Sequence, residues 1–300
     1  MPINTNRTAL TLPTAISNEI LQTTQEQSAV MRLARRITLP GNGLTIPIIL
    51  GDPEAAWVNE TDEKPAGNPQ VGSKIMRGYK LAVIEPFSNE FRRDMAALYD
   101  ALVARLPGVL AKKFDATVFG PASGAPGSDF DTLGGAVANE LVTGSAYDAL
   151  VTGKINIAAQ GGIMNGIALS PQGEGALLLE KDGQQRPLFI DSVANGDVPK
   201  ILGAPTYKTK GAFVSGNPSG YNTVGIMGDW TQALYGIVQG VTIDISNQAT
   251  IKVGNAQINL WQRNMFAVLA EIEIGFRADV SKFNLLTQAV AGEGEGEGET

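Results

Sequence analysis

The sequence predicts an α+β fold, and three observations carry that reading. Two runs of alternating apolar residues flank a long polar loop, one amphipathic stretch of helical period follows, and short β-prone runs broken by Gly or Pro fill most of the remainder. That order of pieces describes a building block better than an active site.

The first strand is expected over Gly43 to Leu50, where Leu44, Ile46, Ile48 and Leu50 share one face and Thr45, Pro47 and Ile49 the other. Pro47 has no amide hydrogen to give to a ladder, which places this strand at an edge. A returning strand is expected over Ile75 to Glu85, alternating Tyr79, Leu81 and Val83 with Lys80, Ala82 and Ile84. Between them, Gly51 to Ser73 carries Asp52-Pro53, Lys64-Pro65, Gly67 and Asn68-Pro69. This is far more chain than the ~2–5 residues that usually close a hairpin. A loop of that length needs a partner or a purpose.

Ser88, just after Pro86, reads as the N-cap of a helix, because its hydroxyl can accept from a first-turn amide. Phe91, Met95, Leu98, Leu102, Leu106, Leu110, Phe114 and Val118 then step by three or four and line one stripe. Glu90 near the start and Lys112 and Lys113 near the end suit the helix dipole. At ~1.5 Å per residue such a helix spans roughly 45 Å, the width of a domain. Pro107-Gly108 predicts a kink, or two helices in line.

From Gly120 the stretch GPASGAPGSDF reads as a linker into a second domain of mixed short elements. Tyr147 to Ala159 is helix-like and ends at Gly161-Gly162; Val241, Ile243 and Ile245 mark one face of a strand. Leu260 to Glu273 is expected as helix grading into strand, since Met265 to Ala270 is apolar without a period while Glu271 to Ile274 alternates strictly. Phe283, Leu285 and Leu286 mark a last short strand. The Gly-Glu repeat from Gly292 to Thr300 has nothing apolar to bury and is expected to be disordered.

Composition removes most chemistry. The chain of 300 residues has neither histidine nor cysteine, so a Ser-His-Asp triad, a histidine- or thiolate-ligated metal and a thiol nucleophile are impossible within it. Carboxylate or lysine chemistry survives, or no chemistry. A net charge of −7 opposes nucleic-acid binding, and Arg32, Arg35-Arg36 and Arg92-Arg93 are too few to reverse it. The N-terminus lacks a signal peptide's basic start and apolar core, and no window approaches ~18 apolar residues. A soluble chain that is not exported by that route is expected.

The remaining constellations have ordinary readings beside functional ones. Gly161-Gly162, Gly173 and Gly175 match neither phosphate-loop pattern. Glu271 and Glu273 share a strand face, as catalytic carboxylates can, or as a solvent- or subunit-facing edge does. Lys64 and Lys74 sit in or beside the long loop, placed for an intersubunit bond or free at the surface. Trp57, apolar on a polar loop, is either an interface anchor or folded back on its own domain. Trp230 and Tyr235 are expected to pack locally at a strand junction.

The order of these pieces resembles the tailed-phage major capsid proteins of the Hong Kong 97 type. The resemblance rests on TLPTAISNEILQTTQEQSAVMRLARRI, GDPEAAWVNETDEKP, KLAVIEPFSNEFRRD, ILGAPTY, GDWTQALYGIVQGVTIDIS and INLWQRNMFAVLAEIEIGFRADVSKF, in this order. It implies an α+β, Hong Kong 97-like capsid fold: an N-terminal arm over 1–37, an extended β-hairpin loop over 38–87, a peripheral domain with its spine helix over 88–120 and 246–290, an axial domain over 121–245, and a disordered acidic tail over 291–300. It implies a subunit that assembles with itself into pentamers and hexamers of an icosahedral head enclosing double-stranded DNA, built in the cytoplasm of a bacterial host. A scaffolding protein, a portal and, where one exists, a decoration protein are the implied partners, with no cofactor and no membrane. Intersubunit contacts are implied for Trp57, Glu60, Glu63, Lys64 and Lys74 on the loop and for Arg92 and Arg93 on the helix. No long scaffold segment precedes the arm, which points to a separate scaffolding protein. The Lys-to-Asn cross-link of some members has no residue-by-residue match, so none is expected. An encapsulin-type nanocompartment enclosing cargo enzymes is the rival reading. A cytosolic enzyme using carboxylates or lysine is the remote one.

Overall fold

The computed structural model describes residues 28–49, 57–58, 71–88, 95–142, 145–181, 184, 186, 188, 200–253 and 256–290. The arm before residue 28, Glu60, Glu63 and Lys64 in the loop, Arg92 and Arg93, and the Gly-Glu tail lie outside them.

Two sheets share one long helix. β1 (Arg35–Thr38), β10 (Ala233–Ser246), β13 (Met265–Ala278) and β4 (Tyr79–Ser88) form a four-stranded sheet in that order, antiparallel except for β1 on β10. β5 (Val137–Glu140), β14 (Phe283–Ala289), β9 (Tyr221–Gly228), β6 (Gly166–Leu169), β8 (Ala204–Lys208) and β7 (Lys200–Ile201) form a six-stranded mixed sheet. Two hairpins stand apart, β2 (Leu44–Ile49) with β3 (Val71–Met76) and β11 (Thr250–Val253) with β12 (Ala256–Asn259). The helices are α1 (Ala29–Leu33), α2 (Met95–Phe119), α3 (Ala146–Ala159) and α4 (Pro171–Leu179).

The described part of α2 holds 25 residues, about 37 Å of helix. Leu106 and Leu110 bury against Val241, Ile243, Phe266, Val268, Ala270 and Ile272 of the four-stranded sheet. Further along, Phe114, Val118 and Phe119 enter a second cluster with Ile226, Trp230, Phe276 and Phe283, which draws on both sheets. Edge-to-face pairs of Phe119 with Trp230 and of Trp230 with Phe283 carry that contact onto β14. A third cluster seats Leu150 and Ile157 of α3 on Leu169, Met227 and Leu286.

Several expectations are corrected. Ser88, expected as a helix N-cap, is the last residue of β4, opposite Met265, and the residues that would follow it in a helix, 89–94, lie outside the described residues. The returning strand divides at Arg77-Gly78 into β3, which completes the hairpin, and β4, which joins the main sheet. A Cβ on Gly78 would stand 2.5 Å from Val238 Cγ2, so only glycine allows the chain to pass there. α2 is one continuous helix through Pro107-Gly108, not two helices in line. Burial of Leu106 and Leu110, about 1.5–3 kcal/mol each, offsets a proline cost of ~3 kcal/mol.

Leu260 to Glu273 contains no helix, and β13 starts at Met265. Phe266, Ala267 and Val268 are all buried, so the apolar run lacks a period because that part of the strand is covered on both faces. The stretch GPASGAPGSDF is largely exposed, as expected of a linker, but Phe130 at its end is buried in the central cluster. Trp230 does stand at a strand junction, yet its ring is central rather than local, and its Nε1 donates to Gly166 O at 3.0 Å. β10 pairs with β13 in the four-stranded sheet, and β14 lies in the six-stranded sheet.

Candidate functional site

Two polar joints hold the hairpin β2–β3 and the short helix α1 to the body of the fold. At the hairpin root, β13 delivers Arg277 on the same strand face as Glu271 and Glu273. Arg277 Nη1 donates to Asp131 at 2.8 Å, Nη2 to Asp129 at 3.0 Å, and Nε to the Ile75 carbonyl of β3 at 2.8 Å. Its side chain is only 10% exposed, so these bonds operate in a low dielectric. Lys74 reaches Asp131 at 3.5 Å and Arg77 reaches Asp129 at 3.3 Å. The Asp129 amide donates to the Tyr79 hydroxyl at 3.2 Å, and the Ala278 amide to Asp131 at 3.1 Å. Beside this clamp the paired Gly236 and Gly275 leave room for Met76 and Arg77 to lie directly on the sheet.

At the arm root, Asp115 of α2 is fully buried. It accepts from the Ser28 hydroxyl at 2.5 Å, the amides of Ala29 at 3.0 Å and Val30 at 3.3 Å, and the Thr209 hydroxyl at 2.8 Å. Ser28 Oγ in turn accepts from the Met31 amide at 3.1 Å. Burial raises the Asp115 carboxyl above its ordinary range, and the four donors only partly oppose that. Arg32 of α1 stacks on Tyr207 at 4.6 Å.

Among the sequence-predicted residues, Trp57 is fully exposed. Lys74 is held within its own chain by Asp131 and by the Ala278 carbonyl at 3.4 Å. Glu271 pairs with Lys80 at 3.6 Å on the outer strand face. Sequence reasoning missed Ser28, Asp115, Asp129, Asp131, Thr209 and Arg277. Arg277 was findable, because it continues the alternate positions of Glu271 and Glu273. Asp115 was findable only as an acid four residues after buried Ala111 and four before buried Phe119. Among the described residues, no group of three or more acidic residues is arranged to hold a metal ion, and no helix is long and apolar enough to cross a membrane.

A family model described as the phage capsid family matches residues 8–278. The chain belongs to the phage capsid family. Two curated relatives, each named "Probable major capsid protein gp17", come from Mycobacterium phages D29 and L5. The first is 28% identical over 91% of this chain and 88% of its own length, the second 29% identical over 89% and 86%. A solved structure from Mycobacterium phage Ogopogo superposes with a TM-score of 0.71 at 17% identity, covering 88% of this chain and 92% of its own. One from Gordonia phage Cozz reaches 0.69 at 22%, covering 88% and 87%. This capsid protein therefore has the Hong Kong 97-like fold, and it is a structural protein of a phage head rather than an enzyme.

Proposed function

We propose that this capsid protein assembles into pentameric and hexameric capsomers of an icosahedral head that encloses double-stranded DNA in a tailed phage, built in the cytoplasm of a bacterial host. The observation that carries this reading is the family match over 8–278, joined to a hairpin whose strands pair only with each other among the described residues. In this reading Trp57, Glu60, Glu63, Lys64 and Lys74 on the hairpin side and Arg92 and Arg93 on the helix meet a neighbouring subunit. α2 with the four-stranded sheet forms the peripheral part, and the six-stranded sheet with α3 and α4 forms the axial part. A net charge of −7 suits a container that holds DNA without gripping it. A scaffolding protein, a portal and a decoration protein are the proposed partners.

The test is a sucrose gradient of the purified chain, alone and with its phage's scaffolding protein, followed by electron microscopy of the fractions. Closed shells or five- and six-membered rings are expected. Shells loaded with an enzyme instead of nucleic acid would mark a nanocompartment. A chain that stays monomeric with scaffold present would overturn the assignment.

A further inference from the structure

An α-helix leaves its first amides without intrahelical partners, and a five-residue helix has little else to hold it. In α1 the amides of all of its first three residues find partners. The amides of Ala29 and Val30 donate to the Asp115 carboxylate and that of Met31 to Ser28 Oγ, while that of Arg32 makes the first helical bond, to the Ser28 carbonyl. Asp115 thus supplies two of the three acceptors and also binds the hydroxyl that supplies the third. Ala29 and Val30 are buried in the central cluster, so water cannot replace a lost bond there.

The same carboxylate takes the Thr209 hydroxyl from the loop after β8. A Cβ on Gly211 would stand 2.6 Å from Asp115 Cβ and 3.1 Å from the Lys112 carbonyl, so that loop lies flush on α2. One side chain therefore joins three segments distant in sequence. One of them is the last point before the 27 residues that precede Ser28.

From this geometry we infer that Asp115 is a positioning residue for assembly: it fixes Ser28 and α1, within the N-terminal arm (1–37) of the capsid reading, against α2, and so the point to which residues 1–27 are joined. The inference rests on the capsid reading above. Asparagine in its place cannot do the same work. Oδ1 serves Val30 and Oδ2 serves Ala29, so whichever way the amide turns, its NH2 group faces one backbone N–H.

The experiment compares the full-length wild type with Asp115→Asn, Ser28→Ala and Thr209→Val. Trypsin cleavage after Arg32 and Arg35 reports release of α1 and of the start of β1 that follows it, and cleavage at other sites reports general loosening. Asp115→Asn is expected to speed cleavage at these two sites at least tenfold and Ser28→Ala several-fold, with other sites unchanged. Thr209→Val, which keeps both arm amides bonded, should stay within twofold of wild type. With scaffolding protein present, the wild type should close into shells, whereas Asp115→Asn and Ser28→Ala should give open or mis-sized particles. Wild-type protection of α1 in Asp115→Asn, equal release by Thr209→Val, or normal shells from both arm variants would overturn the inference. If Asp115→Asn does not fold, Ser28→Ala carries the comparison. Failure of the wild type itself to assemble would count against the capsid reading, while the cleavage data would still decide whether Asp115 latches the arm.

Discussion

Asp229 and Asp279 cap the two turns by which the chain crosses from one sheet to the other, and the two turns are bonded to each other. The Asp229 amide donates to the Lys282 carbonyl at 3.1 Å, and the Asp279 amide to the Gln232 carbonyl at 3.3 Å. Each carboxylate accepts from the amide and hydroxyl two residues on, Thr231 in one turn and Ser281 in the other. The sequence pattern Asp-x-Ser/Thr thus appears at both crossings.

The two caps differ in burial, and that sets their worth. Asp229 is 7% exposed and also accepts from the Ile163 amide and from Asn165, while Asp279 is exposed. Asp229→Ala is expected to cost about 2 kcal/mol and Asp279→Ala about 0.5 kcal/mol, read as shifts in urea midpoint. Desolvation pushes the Asp229 carboxyl up, but the bonds from Thr231 and Ile163 and the Lys282 charge outweigh it and hold it below 3.8. Its stabilisation is therefore present above that pH and lost as pH falls through the lower folded value.

Removing Arg277 would leave Asp129 and Asp131 short of their buried partner. Arg277→Ala should cost about 3–5 kcal/mol, the usual penalty for breaking a buried ion pair from one side. Lys74→Ala, at the more exposed rim, should cost under about 1 kcal/mol. Chemical denaturation of the unassembled subunit checks both, and equal costs would mean that the clamp is not centred on Arg277.

Asp115 binds its proton more tightly folded than unfolded, since burial raises its carboxyl above 3.8. Unfolding releases that proton in the window between 3.8 and the raised folded value, so stability rises as pH falls through the window. Other carboxylates act in the opposite direction, so the measurable quantity is a difference. Unfolding free energy of the wild type minus that of Asp115→Asn should grow from pH 7 down toward 3.8. A pH-independent difference would refute a raised carboxyl.

Gly236 is a packing requirement. A Cβ there would lie 2.8 Å from Leu39 Cβ and 3.1 Å from Met76 Sδ, at the root of the hairpin. Gly236→Ala should destabilise by about 1–3 kcal/mol. Gly240→Ala, with open space around it, should change stability by less than about 0.5 kcal/mol, and thermal melts of the pair decide it.

The sequence by itself determined what is local or periodic. The four-residue stripe of α2, the alternation that marks β2 and the end of β13, and the long interval between the paired strands β2 and β3 were all legible, because each side chain's face follows from its spacing. The absence of histidine and cysteine ruled out whole classes of chemistry before any coordinate. What only the tertiary structure decided is which chain segments share a covering. Double-faced burial erased the period over Phe266–Val268, α2 stayed continuous at Pro107 because the sheet holds both flanking turns, and the largely exposed stretch GPASGAPGSDF is anchored at its end because Phe130 meets Phe114 and Phe276. The two polar joints were illegible for the same reason. Asp115 with Ser28 spans 87 positions and Arg277 with Asp131 spans 146, and no spacing rule links residues that meet only after the apolar faces have chosen their partners.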